Sequence, residues 1–264
     1  MLEPNNFREG LAIKARVYDA LIVRHILMRY GRDNLGFLWT VVEPMLLCVG
    51  VMGIWSITKG GHEHGLQVTA LVYTGYMPLT LWRHMTNSMV HWLRFSKFFI
   101  QFRGISLLDA LLSRLYIEFI SVTSAAIIVY FSLNTVGLLP DIQDFGTVLE
   151  GWLIMGALGF GGGFLIAAAS EATEITEKIM PPLQYFMLPF SGCFFMLSWL
   201  PSSAREYLSY VSFVHSFETF RSGFFGSSVE TYGNPSYAFA VALATAGCGF
   251  IIFERIRDNI SPNG

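Results

Sequence analysis

The stretch from Arg24 to Pro44, RHILMRYGRDNLGFLWTVVEP, constrains this chain more than any other, because a basic segment runs without a linker into a long apolar one. Arg24, Arg29 and Arg32 cross a bilayer only at high cost, whereas the run from Phe37 to Ile57 has the length and character of a spanning helix. The positive-inside rule then keeps the basic side of the junction in the cytoplasm.

Composition agrees with a membrane chain: 53% of the 264 residues are hydrophobic and only 14% are charged, too little polar surface for a soluble globule of this size. The net charge of −2 says nothing by itself about polyanionic partners, because the charges are sorted in space. Cys48, Cys193 and Cys248 lie in apolar stretches without paired spacing, so they read as small apolar residues rather than as a disulfide or a zinc site. Roughly 35 residues, several of them charged, precede the first apolar run, which does not fit a cleavable signal peptide.

Six segments approach or reach the ~20 residues that a spanning helix needs, namely Phe37 to Ile57, Val68 to Leu93, Ile105 to Leu133, Val148 to Ala169, Ile179 to Leu200 and Tyr237 to Phe253. The expected fold is an all-α integral membrane protein with six transmembrane helices. An interfacial helix is expected in 1–36, the six-span domain in 37–254 and a cytoplasmic tail in 255–264. Arg8, Lys14, Arg16, Arg24, Arg29, Arg32, Arg94, Lys97, Arg103, Lys178, Arg255 and Arg257 fall on one side of this arrangement, against Lys59, Arg205 and Arg221 on the other. Both termini are therefore expected to be cytoplasmic.

Ahead of the first span, Phe7, Leu11, Ala15, Tyr18, Ile22, Ile26 and Tyr30 recur at steps of three or four, with Arg8, Arg16 and Asp19 off the stripe, the pattern of an amphipathic interfacial helix. Pro181, Pro182 and Pro189 break the fifth span. The polar, aromatic segment from Ser202 to Gly226 reads as a pair of short extracytoplasmic helices able to re-enter the membrane, where protein or water must shield their backbone. Gly156, Gly159, Gly161, Gly162 and Gly163 in the fourth span predict close helix packing.

Nothing matches GxxxxGK[ST], so ATP dependence has to come from a partner. The basic arm and the loop HWLRFSKFFIQFRG, His91 to Gly104, offer surfaces for one; Arg24, Arg29, Arg94, Lys97 and Arg103 are the coupling candidates. Arg83 and His84 sit deep in the second span. Arg114 and Glu118 are four residues apart in the third, spaced for an intrahelical pair. Arg83 fits a watery pathway or a phosphate contact, and also snorkelling to the interface. His215, Glu218 and Arg221 share one broad helical face and suit a hydrogen-bonded network; with only two metal donors among them, a metal site is not expected. The GHEHG run around His62 and His64 lacks HExxH spacing, and no GxSxG elbow or acidic pair suggests a hydrolase. No catalytic residue is expected. Trp39, Trp55, Trp82, Trp92, Trp152 and Trp199 lie mostly near span ends, as interface anchors do, with a minority available to stack on sugar rings.

RYGRDNLGFLWTVVEP resembles the arginine-rich start and LGxLWxxxEP motif of the inner-membrane permeases of capsular polysaccharide ABC exporters, the KpsM-like transmembrane subunits. Gly75, Pro78, Phe102, Arg103, Asp109, Arg114 and Glu118 match the same pattern, as does FVHSFETFR, although Ser212 and Phe213 stand where many members have Asn-Pro. The resemblance spans nearly the whole chain. It implies a homodimer in a bacterial inner membrane, resting on two ATP-binding subunits that hold ATP and Mg; this chain itself holds no cofactor. It further implies a lipid-linked acidic polysaccharide as substrate, a periplasmic adaptor and an outer-membrane export protein as partners, surrounding membrane lipids, and no nucleic acid. A hydrated polyanion needs a wet path with basic groups, for which Arg32, Trp39, Tyr73, Trp82, Arg83, His84 and Arg114 are candidates, with Arg29 and Arg103 near its mouth. An exporter of O-antigen or teichoic-acid polymers is the nearest alternative, and a proton-coupled secondary transporter using His84, Arg114 and Glu118 is a more distant one.

Overall fold

A computed structural model describes residues 14–24, 35–58, 60, 62–90, 92 and 106–260, and the architecture is almost wholly helical. Helix α1 covers the described residues 14–24. It is followed by α2 (Leu35–Thr58), α3 (Val68–Val90), α4 (Leu107–Thr135), α5 (Phe145–Ala172), α6 (Glu174–Phe186), α7 (Ser202–Leu208), α8 (Ser212–Phe225) and α9 (Pro235–Ile260). Helices α4, α5 and α9 are long and apolar enough to cross a membrane, and Val42–Thr58 within α2 is a shorter apolar run. Helix α3 has 23 residues, but Arg83, His84, Asn87 and four threonines lower its hydropathy.

Helix α5 lies at the centre, against α3, α8 and α9. Its glycines make that possible. A Cβ on Gly161 would run into the Ala242–Ala246 backbone of α9, one on Gly151 into the Phe220 backbone of α8, and those on Gly156, Gly159 and Gly163 into Phe119, Met85 and Leu115. The expected tight packing is therefore present on several faces of one helix, which suits a membrane interior where association rests on backbone approach rather than on water exclusion. Asp144 caps the start of α5, accepting from the amides of Gly146 and Thr147 and from the Thr147 hydroxyl. Ser106 caps α4 through the Asp109 amide at 3.1 Å.

Two expectations change. The fifth span is not one helix: α6 passes through both Pro181 and Pro182 and ends at Phe186, and the chain then continues as short 3-10 turns at Leu188–Phe190 and Leu197–Trp199. Prolines remove ladder donors without ending this helix; the chain turns at Pro189 and at Gly192, whose φ of 88° suits a residue without a Cβ. In α1 the buried face centres on Leu21, with Val17 packed against the core and Ala15 exposed, so the apolar stripe lies about one residue from its expected line through Ala15 and Ile22. The otherwise all-α fold also contains a small hairpin, His62–Glu63 paired with Leu66–Gln67. His64 and Gly65 form its turn with φ of 50° and 81°, the positive values a two-residue hairpin requires. Helix α9 continues through residue 254 to Ile260 without a break.

Candidate functional site

The charged residues of α3 and α4 meet inside the bundle. Glu118 is 1% exposed, and its carboxylate lies 3.3 Å from the Arg114 guanidinium and 3.5 Å from His84 Nδ1. The intrahelical pair is thus made, and it extends across to α3. A buried carboxylate needs such compensation, and here it draws two partners from two helices onto one point. Arg83, the next residue on α3, turns elsewhere: its guanidinium stands 4.6 Å over the Tyr185 ring of α6. Among the described residues no carboxylate lies within ion-pairing distance of Arg83, and its buried Nε has no hydrogen-bond partner. One turn further on, Thr86 accepts from Gln184 of α6 at 2.8 Å. This patch therefore has a neutralised half, around Glu118, and a cationic half, at Arg83.

At the start of α4, Asp109 is 6% exposed and receives the Tyr18 hydroxyl at 3.2 Å and Lys14 Nζ at 3.5 Å, both from α1. Burial and then the Asp109 charge push the Tyr18 phenol above its usual range. Asp109 thus ties the basic arm to the helix that carries Arg114 and Glu118, two turns further along. Its matching position in the motif was legible in the sequence; its role in docking α1 was not, because i-to-i+91 contacts leave no local pattern.

At the opposite end, α8 clasps three loops. Arg221, completely buried, donates to the carbonyls of Gly192 (2.7 Å), Cys193 (2.6 Å) and Phe195 (2.6 Å) and to Thr74 Oγ1 (3.4 Å). Glu218 accepts the amides of Leu197 (3.0 Å) and Tyr232 (2.9 Å). His215 Nδ1 accepts the Asn234 amide at 3.1 Å, so its proton sits on Nε2 and is donated to Ser209 O at 2.6 Å. The three residues share a face as expected, but they hold backbone at 192–197, at Ser209 and at 232–234 instead of bonding chiefly to one another. The irregular stretch after α6 has carbonyls and amides that no helix satisfies, and these side chains meet them. Arg205 of α7 adds bonds to Leu197 O and Leu200 O and covers the Tyr232 ring at 4.1 Å, a contribution sequence reasoning passed over.

The comparisons with known proteins bear on what this arrangement serves. The chain is similar to the capsule polysaccharide export inner-membrane protein CtrC of Neisseria meningitidis serogroup B, 33% identical over 261 residues covering 99% of this chain and 98% of the relative. The chain belongs to the CtrC/BexB family. The capsule polysaccharide export inner-membrane protein BexB of Haemophilus influenzae is 30% identical over 260 residues, 98% of each chain. The polysialic acid transport protein KpsM of Escherichia coli is more distant, 20% identical over 247 residues, 94% of this chain and 96% of KpsM. No protein family model matches the chain. As a CtrC/BexB-type chain with several apolar helices, it is a multi-pass inner-membrane protein.

In this CtrC/BexB fold the expected pathway residues take different positions. Arg83, His84 and Arg114 cluster as described. Tyr73 and Trp82 are packed inside the chain: the Tyr73 hydroxyl donates to Ala126 O at 3.0 Å, and the Trp82 ring meets Phe213 edge-on at 4.8 Å. Both side chains are buried within one chain. Trp39 is 55% exposed. Most of the tryptophans join elements rather than face outward: Trp55 stacks on Phe194, Trp92 meets Phe253, Trp152 meets Phe220, and Trp199 stacks on His64 of the hairpin. Of the coupling candidates, Arg24 ends the described part of α1, while Arg29, Arg94, Lys97 and Arg103, with the pathway candidate Arg32, lie outside the described residues.

Proposed function

We propose that this chain is the membrane-embedded permease subunit of an ATP-driven exporter that moves lipid-linked, acidic capsular polysaccharide across the bacterial inner membrane. The observation that carries the reading is the near-full-length similarity to proteins named for capsule polysaccharide export. In this reading α2, α3, α4, α5, the broken segment from α6 to Trp199, and α9 make six crossings, and both termini face the cytoplasm. Two copies enclose the path. Two ATP-binding subunits, carrying ATP and Mg, engage the basic arm and the loop between α3 and α4 through Arg24, Arg29, Arg94, Lys97 and Arg103. A periplasmic adaptor and an outer-membrane protein receive the polymer.

The geometry supports an anionic cargo at one point above others. Glu118 already pairs with Arg114 and touches His84, whereas Arg83, among the described residues, meets the face of Tyr185 and no carboxylate. A guanidinium with an unused Nε at membrane depth suits a phosphate or carboxylate better than any resident group. Release of Arg83 from the ring would also free Tyr185, 60% exposed, to lie against a sugar. Asp109 gives movement of the arm a route into α4, since α1 is tied to the first turn of that helix.

Deleting the protein tests the assignment. Completed capsule polymer should accumulate inside the cell and disappear from its surface; a normal surface capsule would refute it.

A further inference from the structure

An apolar groove of about 460 Å³ opens between α4 and α5 beside the 136–144 connection, apart from the charged site. Its volume falls within the ~300–1,000 Å³ typical of small-ligand sites. Ile127, Phe131, Phe145 and Leu149 form its rim, each between 44% and 68% exposed, and Trp152 and Phe220 lie deeper. The polar side chains within it are already engaged: Tyr73 donates to Ala126 O, Thr123 to Phe119 O, Trp152 Nε1 to Thr123, and the Tyr130 oxygen accepts the Ile142 amide. Among these described side chains only the Tyr130 hydroxyl proton is left without an acceptor. That is too few polar partners to hold a sugar or a water cluster, so the occupant this interior suits is hydrocarbon.

The mouth carries the opposite character. Asp141 lines the groove, and its exposed carboxylate takes one side-chain hydrogen bond, from Asn134 at 3.0 Å. Asp144 stands three residues on, and the 136–144 connection contains no Lys or Arg. A negative rim over a hydrocarbon slot repels phosphatidylglycerol and cardiolipin and attracts an ammonium group. We propose that this groove is a binding site for one aminophospholipid of the phosphatidylethanolamine class, with an acyl chain between α4 and α5 and its ammonium at Asp141. The site holds a resident membrane lipid and not the lipid anchor of the cargo. It also fills a notch that would otherwise separate two spanning helices, since α4 and α5 touch each other sparingly.

Native mass spectrometry of the intact protein, taken from vesicles of equal phosphatidylethanolamine and phosphatidylglycerol, tests this without any export assay. A single phosphatidylethanolamine should persist per chain after both lipids have been stripped from the rest of the surface. Ile127→Trp, and independently Leu149→Trp, should cause a severalfold loss of that lipid while leaving the thermal midpoint in detergent unchanged. Asp141→Asn should keep a lipid but abolish the preference between headgroups. Equal retention of phosphatidylglycerol by the unaltered chain would overturn the proposal, as would unchanged retention in both tryptophan variants. Disulfide cross-linking of two copies through Phe131→Cys would overturn it too, by assigning the groove to a second protein chain.

Discussion

Glu118 carries a heavy electrostatic burden, since two cationic or ionisable side chains from two helices converge on one buried carboxylate. Replacing it with Ala takes the Glu118 carboxylate away from Arg114, which should cost on the order of 2–3 kcal/mol and lower the thermal midpoint in detergent. Glu118→Gln should recover part of that loss by keeping an acceptor oxygen. Arg83 behaves differently because, among the described residues, no carboxylate depends on it. Arg83→Gln should insert and fold normally yet leave polymer inside the cell, while Arg83→Lys should retain more export, as a charge without the planar fork; equal export by the two variants would show that the charge is immaterial. The α5 cap adds a pH dependence at the membrane edge. The Thr147 hydroxyl and amide, with the Gly146 amide, hold the Asp144 carboxyl below its usual range. Its folded value is depressed, so its stabilisation is complete above the ordinary carboxylate value and fades as pH falls through the folded value. Asp144→Asn should flatten the acid limb of a stability-against-pH curve; an unchanged limb would assign acid sensitivity elsewhere.

At the scale of elements, α8 decides how the irregular segment after α6 is held. Four Arg221 hydrogen bonds reach three backbone carbonyls and Thr74, a geometry that a lysine ammonium on a flexible stem cannot reproduce. Arg221→Lys should therefore destabilise the protein by on the order of 3 kcal/mol, read as a lower midpoint and faster proteolysis between residues 187 and 211. Gly75 belongs to the same clasp. A Cβ there would collide with Cys193 O and crowd the Arg221 guanidinium, so Gly75→Ala should produce a similar pattern without removing any polar group. The helices themselves were largely legible in the sequence, because apolar length and charge placement mark α2, α4, α5 and α9 directly. The path after Pro181 was not. Proline announces lost hydrogen bonds but not where the chain turns, and here the turn waits for Pro189 and Gly192. Likewise the i, i+3, i+6 spacing of His215, Glu218 and Arg221 revealed a shared face, while their targets are backbone groups that carry no signature in side-chain sequence.

For the molecule as a whole, the family was readable from motifs and the pairing of Arg114 with Glu118 from their four-residue spacing. The burial of Tyr73 and Trp82 and the docking of α1 on Asp109 depend on contacts between distant parts of the chain, which periodicity cannot register. Those long-range contacts suggest how force enters the bundle. If an ATPase pushes on the basic arm and on the loop after α3, the displacement reaches α4 twice, through Asp109 from α1 and through the chain connection from α3. Charge reversal at the loop, Arg94→Glu or Lys97→Glu, should then weaken copurification with the ATP-binding subunit and reduce export while leaving insertion and the thermal midpoint intact. Asp109→Asn should give the complementary result: the ATPase still copurifies, because the contact surface is untouched, but export falls because the arm no longer drags α4. The two classes of variant separate binding of the motor from transmission of its stroke. Normal export in Asp109→Asn would remove α1 from the transmission route, and undiminished copurification in both loop variants would move the motor's docking surface elsewhere.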